Sequence, residues 1–120
     1  MTNANVTVLF LYAIGMSLGQ ALFKLAADRA SSAAGGEFWS SLFSTGYFYV
    51  TIALYAVLTL VWFWVLARVP LSRAYPFVAL AFVLTPVFAA LFFGESIDLW
   101  YVASLALILG GLGLLVWKAN

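Results

Sequence analysis

The chain has no cysteine and no histidine. Disulfides, thiolate chemistry and the usual zinc sites are therefore excluded. Charge is nearly as scarce: five lysines and arginines and four acids amount to 8% of 120 residues, for a net charge of +1. Nucleic-acid binding needs a clustered basic face, so no nucleic-acid partner is expected. The sequence holds no nucleophile–base set, no metal-ligand cluster and no glycine-rich phosphate loop. No enzymatic activity, metal or cofactor is expected from it.

What is abundant is apolar. Hydrophobic residues make up 67% of the chain, against roughly 45–50% in an ordinary soluble domain. A soluble protein of this size could not hide so much apolar surface. The fold expected is an all-α integral membrane protein with four transmembrane helices in a single domain over 1–120. Four runs have the length a bilayer demands, about 20 residues at about 1.5 Å rise. They fall at about 6–27, 48–67, 74–93 and 99–117, and backbone groups that cannot stay unpaired in lipid make each one helical. The N-terminal run lacks a basic n-region and a small-residue cleavage site, so it is expected to be a retained helix.

The links ARVPLSR and GESID are short, which predicts antiparallel neighbours. The first link, SSAAGGEFWSSLFSTGY, is longer. After its Gly-Gly break, Phe38, Trp39, Leu42 and Phe43 share one helical face with Ser40, Ser41 and Ser44 opposite. A short helix over 37–44 in the headgroup layer fits this pattern, and an irregular loop with aromatic anchors fits it equally. Arg68, Arg73 and Lys118 outnumber Arg29 and Lys24 at the other side, which predicts both termini in the cytoplasm by a thin margin. In the fourth run Ala103, Ala106, Gly110 and Gly113 recur every three or four residues. Small faces let helices pack in lipid, and Ala106, Gly110 and Gly113 are the expected dimer-packing positions. Four helices enclose little space, so a dimer is expected.

A charge at the bilayer centre costs at least ~2.5–3.5 kcal/mol, which makes embedded polar residues informative. Within GMSLGQALFKLAADR, Ser17, Gln20, Lys24 and Asp28 form one stripe down the first helix. One reading has Lys24 snorkelling to the interface and pairing with Asp28. The other has Gln20 and Lys24 donating to an anion such as phosphate. No Asp or Glu lies within the expected spans, which argues against proton-coupled export of a cation. In RVPLSRAYPF, Ser72 is a fair N-cap for the third helix and Arg73 faces either lipid phosphate or a substrate phosphate. Tyr75 could donate a hydrogen bond in the same region. Pro76 falls near the first turn, and Pro86, in mid-helix, is expected to kink it and allow flexing. Glu95 and Asp98 read as solvated loop acids, with Glu95 capping the fourth helix or acting as a pathway acid as the alternatives. Trp and Tyr residues near the span ends read as interfacial anchors.

These residues carry a resemblance. FGESIDLWYVASLALILGGLGLL is similar to the small multidrug resistance branch of the drug/metabolite transporter superfamily. SLGQALFKLA and WVLARVPLSRAYPFVALAFVLTPVFAALFFGES resemble the small subunits of the 4-amino-4-deoxy-L-arabinose–phosphoundecaprenol flippase. Laid against the multidrug exporters by its Gly and Lys, the first helix has Met16 where they keep their essential glutamate. The resemblance implies a flippase of the bacterial inner membrane that moves an undecaprenyl-phosphate-linked sugar. Its partners would be the polyprenyl-phosphate lipid, membrane lipids and a second copy or a similar small subunit. In that setting Lys24, Gln20, Arg73, Tyr75 and Ser17 are the expected substrate-binding residues, with Pro76 and Pro86 as gating or kink positions. An exporter of cationic or amphiphilic small molecules and a non-transporting subunit of a membrane glycosyltransferase complex are the competing functions.

Overall fold

The computed structural model describes residues 2–32 and 37–119. Among them the chain is helical, with six elements: α1 (Asn3–Ser31), α2 (Phe38–Ser44), α3 (Gly46–Leu66), α4 (Leu71–Val78), α5 (Ala81–Phe93) and α6 (Leu99–Ala119). Asn3–Ser31, Gly46–Leu66 and Leu71–Phe93 are long and apolar enough to cross a membrane, and Leu99–Leu115 is a shorter apolar helix. The surface is inverted relative to a soluble protein: Leu60, Phe63 and Leu91 point outward. That is the arrangement expected where the solvent is lipid.

The first helix is the axis of the fold. It packs against α3, α5, α4 and α2, whereas α6 makes its main contact with α4. Thr2 opens α1, its side chain accepting from the Asn5 N–H at 3.2 Å. At 29 residues α1 is about 43 Å long, well beyond an apolar core of about 30 Å, so its charged last turns can reach the headgroups.

Gly15 and Gly19, one turn apart, make room for two side chains of α3. A Cβ on Gly15 would lie 2.9 Å from Leu58 Cδ2, and one on Gly19 would lie 2.6 Å from Tyr55 Cε2. Small residues at this spacing let two backbones approach, and in lipid that close packing replaces the hydrophobic drive. Nearer the N-terminus, Leu9 is enclosed with Val65, Val69 and Ala74, flanked by Trp62 and Phe77. Thr51 and Ser17, both fully buried, satisfy their hydroxyls by donating to Tyr47 O at 2.6 Å and Ala13 O at 3.1 Å.

Several local expectations need correcting. The third apolar run starts at Leu71, with Pro70 at the N-cap position, so Ser72 lies in the first turn and caps nothing. The third apolar run is also divided at Ala79–Leu80, between Pro76 and Pro86. There the bonding tightens to a three-residue spacing: Ala79 N–H donates to Pro76 O at 3.2 Å, and Leu80 N–H to Phe77 O at 3.1 Å. Each proline withholds an N–H from the residue four positions earlier, and the adjustment is taken up between the two rings. The cap of α6 is Asp98, whose Oδ1 accepts from Tyr101 N–H at 2.8 Å; Glu95 does not cap it. Gly94, with φ of 64°, ends α5 in the left-handed conformation that glycine adopts freely.

Between α1 and α3, residues 38–44 form a helix; the Gly-Gly break before it lies outside the described residues. Its aromatic face is exposed at Trp39 and Phe43. Tyr49 Oη donates to Phe43 O at 2.8 Å, tying α2 to the start of α3.

Candidate functional site

A partly open cleft of about 860 Å³ runs between α1, the α4–α5 segment and α6. From α1 it takes Met16 and Gln20, one turn apart on one face. From the α4–α5 segment it takes Ser72, Tyr75, Pro76, Phe82, Thr85 and Pro86 among others. From α6 it takes Tyr101, Leu112 and Leu115. Tyr101 and Leu115 lie about 21 Å apart along the helix, so the cleft covers much of a bilayer's apolar depth.

The polarity of the cleft is neutral throughout. No lining residue carries a formal charge. Gln20 Nε2 donates to Tyr55 Oη at 2.8 Å, and Tyr55 Oη donates in turn toward Met16 O at 3.4 Å. Gln20 is thus held from behind by α3 and keeps its carbonyl and second amide hydrogen for the cleft. Below it, Thr85 Oγ1 reaches Ser17 Oγ at 3.4 Å, joining α1 to α5. On the far side an aromatic series supports Tyr75: Tyr12 stacks on Trp62 at 5.1 Å, and Trp62 meets Tyr75 edge-on at 6.3 Å. The prolines contribute by subtraction. Pro76 and Pro86 have no N–H to offer the carbonyls of Ser72 and Phe82, and both of those residues line the cleft.

The residues singled out in the sequence therefore divide. Gln20, Tyr75, Pro76 and Pro86 meet at the cleft, and Ser17 lies buried at its edge against Thr85. Lys24 stands outside: its Nζ is 3.0 Å from Asp28 Oδ1, with both side chains half exposed. Arg73 is exposed in the first turn of α4 and is not among the lining residues. Glu95 is exposed after α5, near enough to Lys24 for the two charges to interact. Lys24 and Arg73 consequently occupy opposite ends of the molecule. Ala106, Gly110 and Gly113 are exposed, and a Cβ on either glycine would meet nothing within 4 Å.

Sequence reading passed over Tyr55. The signal was its position: it falls at the middle of Gly46–Leu66, where an interfacial anchor is of no use and a phenol must find a partner. Thr85 and Ser72 were hidden for a different reason, since hydroxyls are common on membrane helices and only the fold shows which of them face a cavity.

Long apolar helices around a partly open, largely apolar and uncharged cleft mark a multi-pass membrane protein. A scan of protein-family models finds no match, and neither does a search of the solved structures. Curated proteins do match. The chain is 31% identical over 111 residues to a protein of Pseudomonas fluorescens named "Probable 4-amino-4-deoxy-L-arabinose-phosphoundecaprenol flippase subunit ArnE", covering 92% of this chain and 96% of that one. A protein of the same name from Sodalis glossinidius is 34% identical over 104 residues, or 87% and 89% of the two chains. A third, from Pseudomonas aeruginosa, is 32% identical over 98 residues, covering 82% and 84%. The chain belongs to this family of ArnE-like flippase subunits. A membrane transporter role follows from that membership.

Proposed function

We propose that the chain moves an undecaprenyl-phosphate-linked sugar across the bacterial inner membrane, with the headgroup passing along the α1/α4–α5/α6 cleft and the polyprenyl tail remaining in lipid. The observation that carries this reading is the chemistry of the cleft. Along a largely apolar lining, Gln20, Ser72, Tyr75, Thr85 and Tyr101 supply a few neutral donors and acceptors that a hydroxylated headgroup could use. Met16 lines it where a cation exporter would need a carboxylate, and a thioether neither binds a cation nor holds a proton.

On this reading all four apolar segments cross the membrane, as one domain with both termini cytoplasmic, and α2 lies in the headgroup layer. Lys24 and Arg73 do not share one phosphate. They meet it in turn at the two ends of its path, with Gln20, Tyr75 and Ser17 between them and Glu95 beside the Lys24 end. Pro76 and Pro86 flank the Ala79–Leu80 break, where the third apolar segment would flex. The Ala106, Gly110 and Gly113 face of α6 receives a second copy or a similar small subunit.

The test is lipid movement in reconstituted vesicles, with the chain alone and with a co-expressed partner subunit. Exposure of a polyprenyl-phosphate sugar is read by oxidation with membrane-impermeant periodate. Protein-dependent exposure that falls several-fold in Gln20→Ala and Tyr75→Phe is the expected result. Proton-driven movement of tetraphenylphosphonium without lipid exposure would return the cation exporter to first place. Movement of neither substrate would leave the non-transporting subunit.

A further inference from the structure

A shallow, open depression of about 390 Å³, the Arg29–α2 cavity, lies away from the cleft at the end of the molecule where α1 finishes. It is lined by Arg29 together with Ser40, Ser41, Ser44 and Thr45. The serine face of α2 is thus turned toward the arginine, while Trp39 and Phe43 on the same helix point outward.

Arg29 is prepared for an external partner. Its guanidinium carbon lies 5.3 Å from the Tyr47 ring centroid, a cation–π contact that holds it in place without neutralising it. Among the described residues no carboxylate pairs with it. The neighbouring Asp28 is taken by Lys24 at 3.0 Å, and Glu37, at the N-cap of α2, is exposed. The hydroxyls are also available. Ser44 Oγ donates to Ser40 O at 2.8 Å, and those of Ser40, Ser41 and Thr45 have no hydrogen-bond partner among the described residues. A planar five-donor fork ringed by hydroxyl donors matches the tetrahedral oxygens of a phosphate.

Depth selects the kind of phosphate. Arg29 is five residues beyond Lys24 and so about 7.5 Å further along α1. An amphipathic helix with exposed aromatics borders the cavity, as expected at the headgroup layer. We propose that the Arg29–α2 cavity binds the phosphate ester of a lipid headgroup. The site shares no residue with the cleft and does not rest on the flippase reading.

Native mass spectrometry of the full chain released from detergent tests this, with phosphatidylglycerol as probe and diacylglycerol as its phosphate-free counterpart. The expected result is retention of phosphatidylglycerol over diacylglycerol, weakened about tenfold in Arg29→Gln and less in Arg29→Lys, which keeps the charge but loses the fork. The double variant Ser40→Ala/Ser41→Ala should weaken it as well, and Arg68→Gln, at the opposite end, should leave it unchanged. Far-UV circular dichroism checks that the variants keep their helices. Competition separates the sources of the phosphate: displacement by undecaprenyl phosphate assigns the site to a polyprenyl carrier, and resistance assigns it to bilayer phospholipid. Equal retention by Arg29→Gln, or displacement of the lipid by an equal concentration of inorganic phosphate, overturns the proposal.

Discussion

Two sets of glycines in this chain read alike in sequence and behave oppositely in the fold. Gly15 and Gly19 on α1 are pressed against Leu58 and Tyr55, with no room for a methyl group. Gly110 and Gly113 on α6 face open space. A row of small residues on a membrane helix signals a close approach but does not say to what. On α1 that approach is satisfied inside the chain. On α6 it is left over, and the proposed dimer is the way to use it.

The comparison can be broken most forcefully at Gly19. Gly19→Leu should force α1 and α3 apart; over-packing of this kind costs about 1–3 kcal/mol and should lower the melting temperature in detergent by about 5–10 °C. A melt unchanged from that of the natural chain would show that the close approach does not stabilise the fold. Gly110→Leu should do the reverse, leaving the melt in place while abolishing the disulfide cross-linking between copies that an introduced Ala106→Cys on α6 reports. Undiminished cross-linking would mean that copies do not meet on this face. A smaller effect is expected at the contact that Gly19 makes possible. Tyr55→Phe removes two hydrogen bonds between helices, from Gln20 and to Met16 O, each worth about 0.6 kcal/mol on average in membrane proteins, and should reduce lipid movement more than it reduces stability. Smallest of all is Lys24→Ala. Its partner is on the same helix and both groups are half exposed, so the melt should not shift measurably.

Much of this was legible in the sequence because membrane helices are dictated by length and apolarity. The four runs were visible, and so was the Lys24–Asp28 pair, because four-residue spacing places two side chains on one helical face. Gln20, Tyr75, Pro76 and Pro86 could be singled out as chemically unusual. That they border one cavity, and that Arg73 does not, depends on packing between helices distant in sequence. Tyr55 illustrates the limit: its hydroxyl is anchored by Gln20, 35 residues away. Helix ends were blurred for a local reason. Pro70, with ψ of 142°, stands at the N-cap position and no side chain caps the turn, so Ser72, two residues into the helix, does not take the role its residue type suggested.

The neutrality of the cleft has an electrical consequence. With no formal charge on its walls, the lining itself would carry no gating charge through the field if the cleft closed on one side and opened on the other. Within the cleft, membrane voltage would then act on the cargo, at about 2.3 kcal/mol per elementary charge for each 100 mV. A headgroup whose charges cancel would cross indifferent to polarisation. One with a net negative charge would be pushed outward by an inside-negative cell, with the protein acting only as its conductor.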